Sequence, residues 1–261
     1  MIGIFDSGIG GLTVVRAVMD QLPGYDIIYF GDTARTPYGN KSSRTVIDYS
    51  LQNTQFLIDQ GATLIVMACN TASSVATDTV QARFDLPIYE VITPAVNQSL
   101  ETSKNMTIGV IGTRATISSG IYENKIHEKA PGARVFSAPC PLLVPLVEEG
   151  WLKKPETRMI VKKYLHPLKV RQIDTLILGC THYPLLKQII AHKIGKQVSI
   201  IDSSMALARE IRAFLNETPQ VDSQLAKKGN VDFFVSDITP QFEKTARSVI
   251  KHKIDLKHVS L

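Results

Sequence analysis

Thr63-Leu64-Ile65-Val66-Met67-Ala68-Cys69-Asn70-Thr71 is a short apolar run that empties into a cysteine and small polar groups. A run of this length reads as a buried strand rather than a helix. The pattern returns roughly 110 positions later as Thr175-Leu176-Ile177-Leu178-Gly179-Cys180-Thr181-His182. The first strand, Ile2-Gly3-Ile4-Phe5-Asp6-Ser7-Gly8, has a looser counterpart at a similar offset in Ile108-Gly109-Val110-Ile111-Gly112-Thr113. Thr-Leu-Ile is a common strand sequence, so the match alone leaves coincidence open. The shared order of strand, cysteine and polar turn points instead to two similar halves, with one cysteine in each across a pseudo-twofold axis.

Working outward, strands and helices alternate. Strands are expected at Ile2–Phe5, Asp26–Gly31, Thr63–Ala68, Pro87–Val91, Met106–Ile111, Ala133–Phe136, Asp174–Leu178, Gln197–Ile201 and Val231–Val235. Helices fill the intervals, and a last one starts at Pro240. Ser42 is placed to cap the helix whose Ile47, Leu51, Thr54 and Ile58 repeat at helical spacing. One helix is expected from the Gly112-Thr113 turn to about Lys129. Such alternation means βαβ units and parallel sheets, with ligands at the carboxyl ends of the strands. Asp6, Asp32, Cys69, Thr113 and Cys180 all follow a strand directly and are candidates for one cleft. The length also fits a (β/α)₈ barrel.

The bulk properties exclude several classes. With 44% hydrophobic residues in 261, the chain can bury a core without staples. The net charge of +5 is spread along the chain, without the block of like charges that marks a nucleic-acid arm. Three cysteines, 69, 140 and 180, form no C-x-x-C pair, so reduced thiols are expected rather than disulfides. Ile2–Phe5 lacks the basic start and length of a signal peptide, and no apolar run approaches the ~18 residues of a membrane span. A soluble cytoplasmic protein, binding neither membrane nor nucleic acid, is expected. No His or Cys spacing suits zinc, and Gly8-Ile9-Gly10-Gly11 is neither a dinucleotide fingerprint nor a P-loop.

Two matched cysteines suit one chemistry in particular. A proton alpha to a carboxylate is held far more tightly than any side-chain proton, so its base must be close, strong and desolvated. Inverting that carbon takes a base on one face and an acid on the other, and two thiols fill both roles. A free thiol ionises near ~8.5, so a modest shift makes its thiolate accessible at neutral pH. Asp6 and His182 are suitable partners for them. Asn70, Thr71, Thr113 and Thr181, with helix N-termini, can hold carboxylates. The plainer reading of a buried Cys is an inert small hydrophobe, and Cys140, between two prolines, keeps it.

Phe5-Asp6-Ser7-Gly8-Ile9-Gly10-Gly11, Pro37-Tyr38-Gly39, Ala68-Cys69-Asn70-Thr71-Ala72-Ser73, Pro141 to Gly150 and Gly179-Cys180-Thr181-His182-Tyr183-Pro184 together resemble the glutamate racemase family. The resemblance implies two pseudo-symmetric parallel-sheet α/β domains with the active site between them. It implies that the chain's end returns to the first domain, giving 1–93 plus 210–261 and 94–209. It also implies interconversion of L- and D-glutamate for peptidoglycan, with no pyridoxal phosphate and no metal, by a homodimer. Carried over residue by residue, Cys69 deprotonates D-glutamate and Cys180 L-glutamate, assisted by Asp6 and His182. Ser7, Tyr38, Gly39, Asn70, Thr71, Thr113 and Thr181 hold substrate together with Asp6 and His182, and Glu148 is an auxiliary. Related two-cysteine enzymes acting on aspartate, hydantoins or maleate share the chemistry. A binding protein without catalysis and a Cys180–His182 hydrolase are the other readings; the hydrolase leaves Cys69 without a role.

Overall fold

A computed structural model describes residues 1–250 and 254–261. The first half runs β1 (Ile2–Asp6), α1 (Leu12–Gln21), β2 (Ile27–Gly31), α2 (Ser43–Asp59), β3 (Leu64–Met67), α3 (Asn70–Arg83) and β4 (Ile88–Glu90). Helix α4 (Ile92–Thr102) leads to β5 (Thr107–Gly112), α5 (Arg114–Ser118), α6 (Ile121–Lys129), β6 (Arg134–Pro139), α7 (Leu143–Glu148) and α8 (Pro155–Val170). Then follow β7 (Thr175–Gly179), α9 (Lys187–Ile194), β8 (Ser199–Asp202), α10 (Ser203–Glu217) and the short α11 (Pro219–Asp222). The described chain closes with β9 (Val231–Val235), α12 (Pro240–Ile250) and β10 (Leu256–His258).

The strands form two open parallel sheets, ordered β10-β9-β2-β1-β3-β4 and β6-β5-β7-β8. The run β2-β1-β3-β4 in one sheet has the same order as β6-β5-β7-β8 in the other. That makes β1 equivalent to β5 and β3 to β7, as the repeat in the sequence implies, and it excludes a closed barrel. The two extra strands of the first sheet come from the end of the chain. β9 pairs with β2 in the register Ile27 to Val231 through Gly31 to Val235.

Strands β1, β2, β3, β5 and β7 are buried throughout, because helices cover both faces of each sheet. Successive side chains point to opposite faces, so Ile2 and Ile4 enter one core and Phe5 another. The first of these cores is shared: it joins Ile4 and Val66 to Ile108, Val110 and Ile177 of the second sheet. The two halves are therefore welded by apolar contact and not merely tethered.

Two local features differ from the sequence reading. The buried face of α2 is Val46, Ser50, Asn53, Thr54 and Leu57, with Ile47, Leu51 and Ile58 only half-buried. The helix is turned by about one residue, so that polar Ser50 and Asn53 face inward. The segment after Thr113 is two helices rather than one, because Gly120 takes φ 68° between them, a left-handed conformation that glycine adopts without penalty. Ser42 does cap α2, accepting from the Thr45 N–H at 3.3 Å. No helix among the described residues is long and apolar enough to cross a membrane.

Candidate active site

Cys69 and Cys180 occupy equivalent places, just beyond the carboxyl ends of β3 and β7. Both line one enclosed cavity of about 20 Å³, with Ser7, Thr36, Pro37, Tyr38, Gly39, Asn70, Thr71, Thr113, Val144, Thr181 and His182. That volume admits little more than a single water, so the two sides must part for anything larger to enter. Asp6 stands behind this lining, and Glu148 lines an adjoining cavity of about 190 Å³ that reaches Gly8 and Thr36.

The surroundings of the two sulfurs are opposite in charge. Cys69 is the N-cap of α3, and its Sγ donates to Ser7 Oγ at 3.5 Å. Burial, reinforced by the nearby Asp6 charge, pushes its thiol up to about 12. Asp6 is itself fully buried and held in place by three donors: Gly8 N–H at 3.0 Å, Gly11 N–H at 2.9 Å and Thr181 Oγ1 at 3.2 Å. Burial raises its carboxyl above the usual range, while His182, the two N–H groups and Thr181 pull the other way.

Cys180 Sγ lies 3.7 Å from His182 Nδ1, and His182 Nε2 lies 3.2 Å from Glu148 Oε1. Burial pulls the imidazole down. The bonds to Cys180 and Glu148, with their charges, outweigh it and hold His182 up to about 10. In its protonated form the ring donates from both nitrogens, one to the sulfur and one to the carboxylate. Cys140 is buried in the same core as Cys180 but outside the cavity lining, donates weakly to the Ala138 carbonyl and is pushed up to about 12 by burial and then by the Cys180 charge.

The walls are hydroxyls and amides. Thr71, Thr113 and Thr116 form a triangle with 3.0, 3.3 and 3.0 Å edges, joining α3 of the first half to α5 of the second. Tyr122 of α6 donates to Asn70 Oδ1 at 2.6 Å, which fixes the amide and leaves Asn70 Nδ2 buried without a partner. The Tyr38 hydroxyl is held outside the cavity by Asp32 and by Asn53 Nδ2, so Tyr38 offers its ring and backbone rather than its hydroxyl. Asp32, a cleft candidate by sequence, is an anchor: it also takes both bonds from Arg35 Nε, at 2.8 and 2.7 Å, and one from Ser236 Oγ. Gly39 lies where a β-carbon would come within 2.8 Å of Thr113.

A family model described as Asp/Glu/Hydantoin racemase matches residues 13–211. The chain belongs to the Asp/Glu/hydantoin racemase family. A glutamate racemase of Persephonella marina is 47% identical over 260 residues, covering 100% of this chain and 97% of that protein. A solved glutamate racemase of Bacillus anthracis superposes with a TM-score of 0.94 at 36% identity, covering 100% and 97% of the two chains. One from Francisella tularensis, solved in complex with D-glutamate, gives 0.90 at 41% identity and covers 99% and 97%.

For a member of this racemase family the cavity is chemically apt. It sets one thiol beside an imidazolium and one beside a buried carboxyl, on elements of two different sheets. Thr36, Val144 and Thr116 were not named as site residues from the sequence, and Pro37 was quoted only within its motif. Thr36 and Pro37 adjoin the Tyr38-Gly39 pair, and Val144 sits inside the Pro141 to Gly150 motif, so adjacency was the available signal. Tyr122 had none, because its bond to Asn70 spans 52 positions.

Proposed function

We propose that this chain interconverts L- and D-glutamate with Cys69 and Cys180 as its two bases. The observation that carries the reading is the convergence of both cysteines on one enclosed cavity, from equivalent positions in two like-ordered sheets. In the L-to-D direction the Cys180 thiolate, beside the His182 imidazolium, takes the α-hydrogen as a proton. The C–H electron pair passes into the adjoining carboxylate, where the N-terminal N–H groups of α3 and the Asn70 amide stabilise the added charge. The Cys69 thiol then gives its proton to the opposite face. The products are D-glutamate, a Cys180 thiol and a Cys69 thiolate. The reverse direction uses the same groups with their roles exchanged, and Asp6 assists Cys69 by favouring its thiol, the acid of the L-to-D direction. Ser7, Tyr38, Gly39, Thr71, Thr113 and Thr181 hold the substrate, and Glu148 supports His182.

No cofactor takes part in this scheme. The product supplies peptidoglycan synthesis, and the working form is a cytoplasmic homodimer, which sedimentation would test. We also infer a division into 1–93 plus 210–261 and 94–209; it is supported by sheet membership, with β9 and β10 joining the first sheet. The deciding experiment is incubation of L-glutamate in heavy water with chelator and no added cofactor. Deuterium at the α-carbon of newly formed D-glutamate is expected, and Cys69→Ser and Cys180→Ser should each abolish net racemisation. Racemisation that needs pyridoxal phosphate or a metal would refute the mechanism.

A further inference from the structure

Four buried side-chain polar atoms among the described residues have no hydrogen-bond partner: Thr36 Oγ1, Asn70 Nδ2, Gln98 Oε1 and Thr175 Oγ1. Only Asn70 and Thr36 belong to the lining of the enclosed cavity. Leaving such a group unpaired costs about 1–3 kcal/mol, so two of them in one small lining mark positions that bind something polar. The proposed substrate has two carboxylates. The α-carboxylate is bonded to the carbon that must lie between the thiols, and Asn70, which opens α3 beside Cys69, is the group adjacent to it. Thr36 is carried by a different element, the turn between β2 and α2, and borders the outer cavity against Gly8.

We propose that the Thr36 hydroxyl is a further substrate-binding group of this site, donating a hydrogen bond to the side-chain carboxylate of glutamate. This rests on the reading that glutamate is the substrate. The local construction supports a binding role. Thr36 lies between Arg35 and Tyr38, and both of those side chains are tied to the fully buried Asp32. Its backbone is therefore held before any ligand arrives, which keeps the ordering cost of binding low. A β-carbon at position 8 would come within 3.1 Å of Thr36 Oγ1, so Gly8 leaves the room in which that hydroxyl sits.

The test compares T36V with T36S in both directions of the reaction. Valine keeps the shape and removes the donor; serine keeps the donor and removes the methyl. For T36V, KM for L- and D-glutamate should rise by about tenfold, which is about 1.4 kcal/mol, with kcat changed much less. The inhibition constant of glutarate, a dicarboxylate that cannot racemise, should weaken in parallel. T36S should keep wild-type KM and urea midpoint, and T36V, freed of an unpaired buried hydroxyl, should have a urea midpoint at or above the wild type. Should T36V lose the folded state, T36A is measured in its place with the same expectation. Unchanged KM in T36V, or equal impairment of T36V and T36S, overturns the proposal. Failure of the wild type to racemise glutamate sinks the underlying reading instead, whatever the variants do.

Discussion

Cys69 and Cys180 are alike in sequence context and unlike in electrostatics, because Asp6 stands near one and His182 touches the other. The Asp6 charge is the second cause, after burial, that holds Cys69 up at about 12. Asp6→Asn removes that charge at little geometric cost. Oδ1 of asparagine can accept from both glycine N–H groups that now bond one carboxylate oxygen, and its amide can donate to Thr181 Oγ1. In this variant the alkylation of Cys69 by iodoacetamide, followed by mass spectrometry, should reach half-maximal rate at lower pH; an unchanged profile would show that the charge is not felt at the sulfur. Stability should carry the same electrostatics. His182 is raised to about 10 from an ordinary 6.5, so the native state binds the extra proton. The associated stability is complete below about pH 6.5 and is lost as pH rises through about 10. Raised Asp6 and Cys69 act with the same sign. The urea midpoint should fall between pH 7 and pH 10, and fall less in His182→Asn; a midpoint that rises would contradict this linkage. At this scale the sequence carried the thiols and their partners, since each pair is close along the chain or in a recognisable motif. Tyr122 on Asn70 and Thr36 over Gly8 were illegible because only the fold brings them together.

The turn between β1 and α1 is where the element scale meets the chemistry. Gly11 N–H and Gly8 N–H both aim at Asp6, while Gly10 faces the other half. A β-carbon at Gly10 would come within 2.5 Å of His182 Nδ1. The glycine is therefore required by close approach to the Cys180 loop, not by an unusual backbone angle. Gly10→Ala should displace the imidazole from Cys180 and lower kcat by about 10²-fold, the scale of a 1 Å misplacement; retention of kcat within a few-fold would refute it. Thr13 fastens the same junction, with its Oγ1 2.8 Å from the Gly10 carbonyl, 3.0 Å from the Thr181 carbonyl and 3.0 Å from Ser204 Oγ. Strand positions were legible because runs such as Leu64–Met67 are buried on both faces. The inward face of α2 was not. Asn53 and Ser50 are inside for the sake of Tyr38 and the helix's own carbonyls, and hydrophobic periodicity cannot register polar groups buried for a hydrogen bond.

At the scale of the molecule, a core shared by both sheets fixes how the two cysteine-bearing strands face each other. Helices α1, α4, α10 and α12 and both sheets contribute to it, from Ile4 and Val66 to Ile177, Leu207 and Val249. The repeat in the sequence foretold two similar α/β halves, but β10, only Leu256–His258 at an edge, was too short and too polar to be read. The end of the chain also reaches the site indirectly. Phe233 of β9 is buried in the shared core, its ring centroid 6.2 Å from that of Tyr29, whose hydroxyl donates to the Gly8 carbonyl in the turn over Asp6. A residue more than 200 positions downstream thus steadies the loop that holds the Asp6 carboxyl. Phe233→Ala removes that ring without touching a reacting group. The loss should be about 3–5 kcal/mol of unfolding free energy, as for other buried phenylalanines, measured as a lower urea midpoint with the slope preserved. In the surviving native fraction the cysteines should react with iodoacetamide no faster than in the wild type, because the weld between the sheets includes Ile108, Val110 and Ile177 as well. If Cys69 and Cys180 instead become freely alkylated under conditions where the variant is still folded, Phe233 and Tyr29 hold the cavity shut, and the shared core alone is not what keeps the two thiols enclosed.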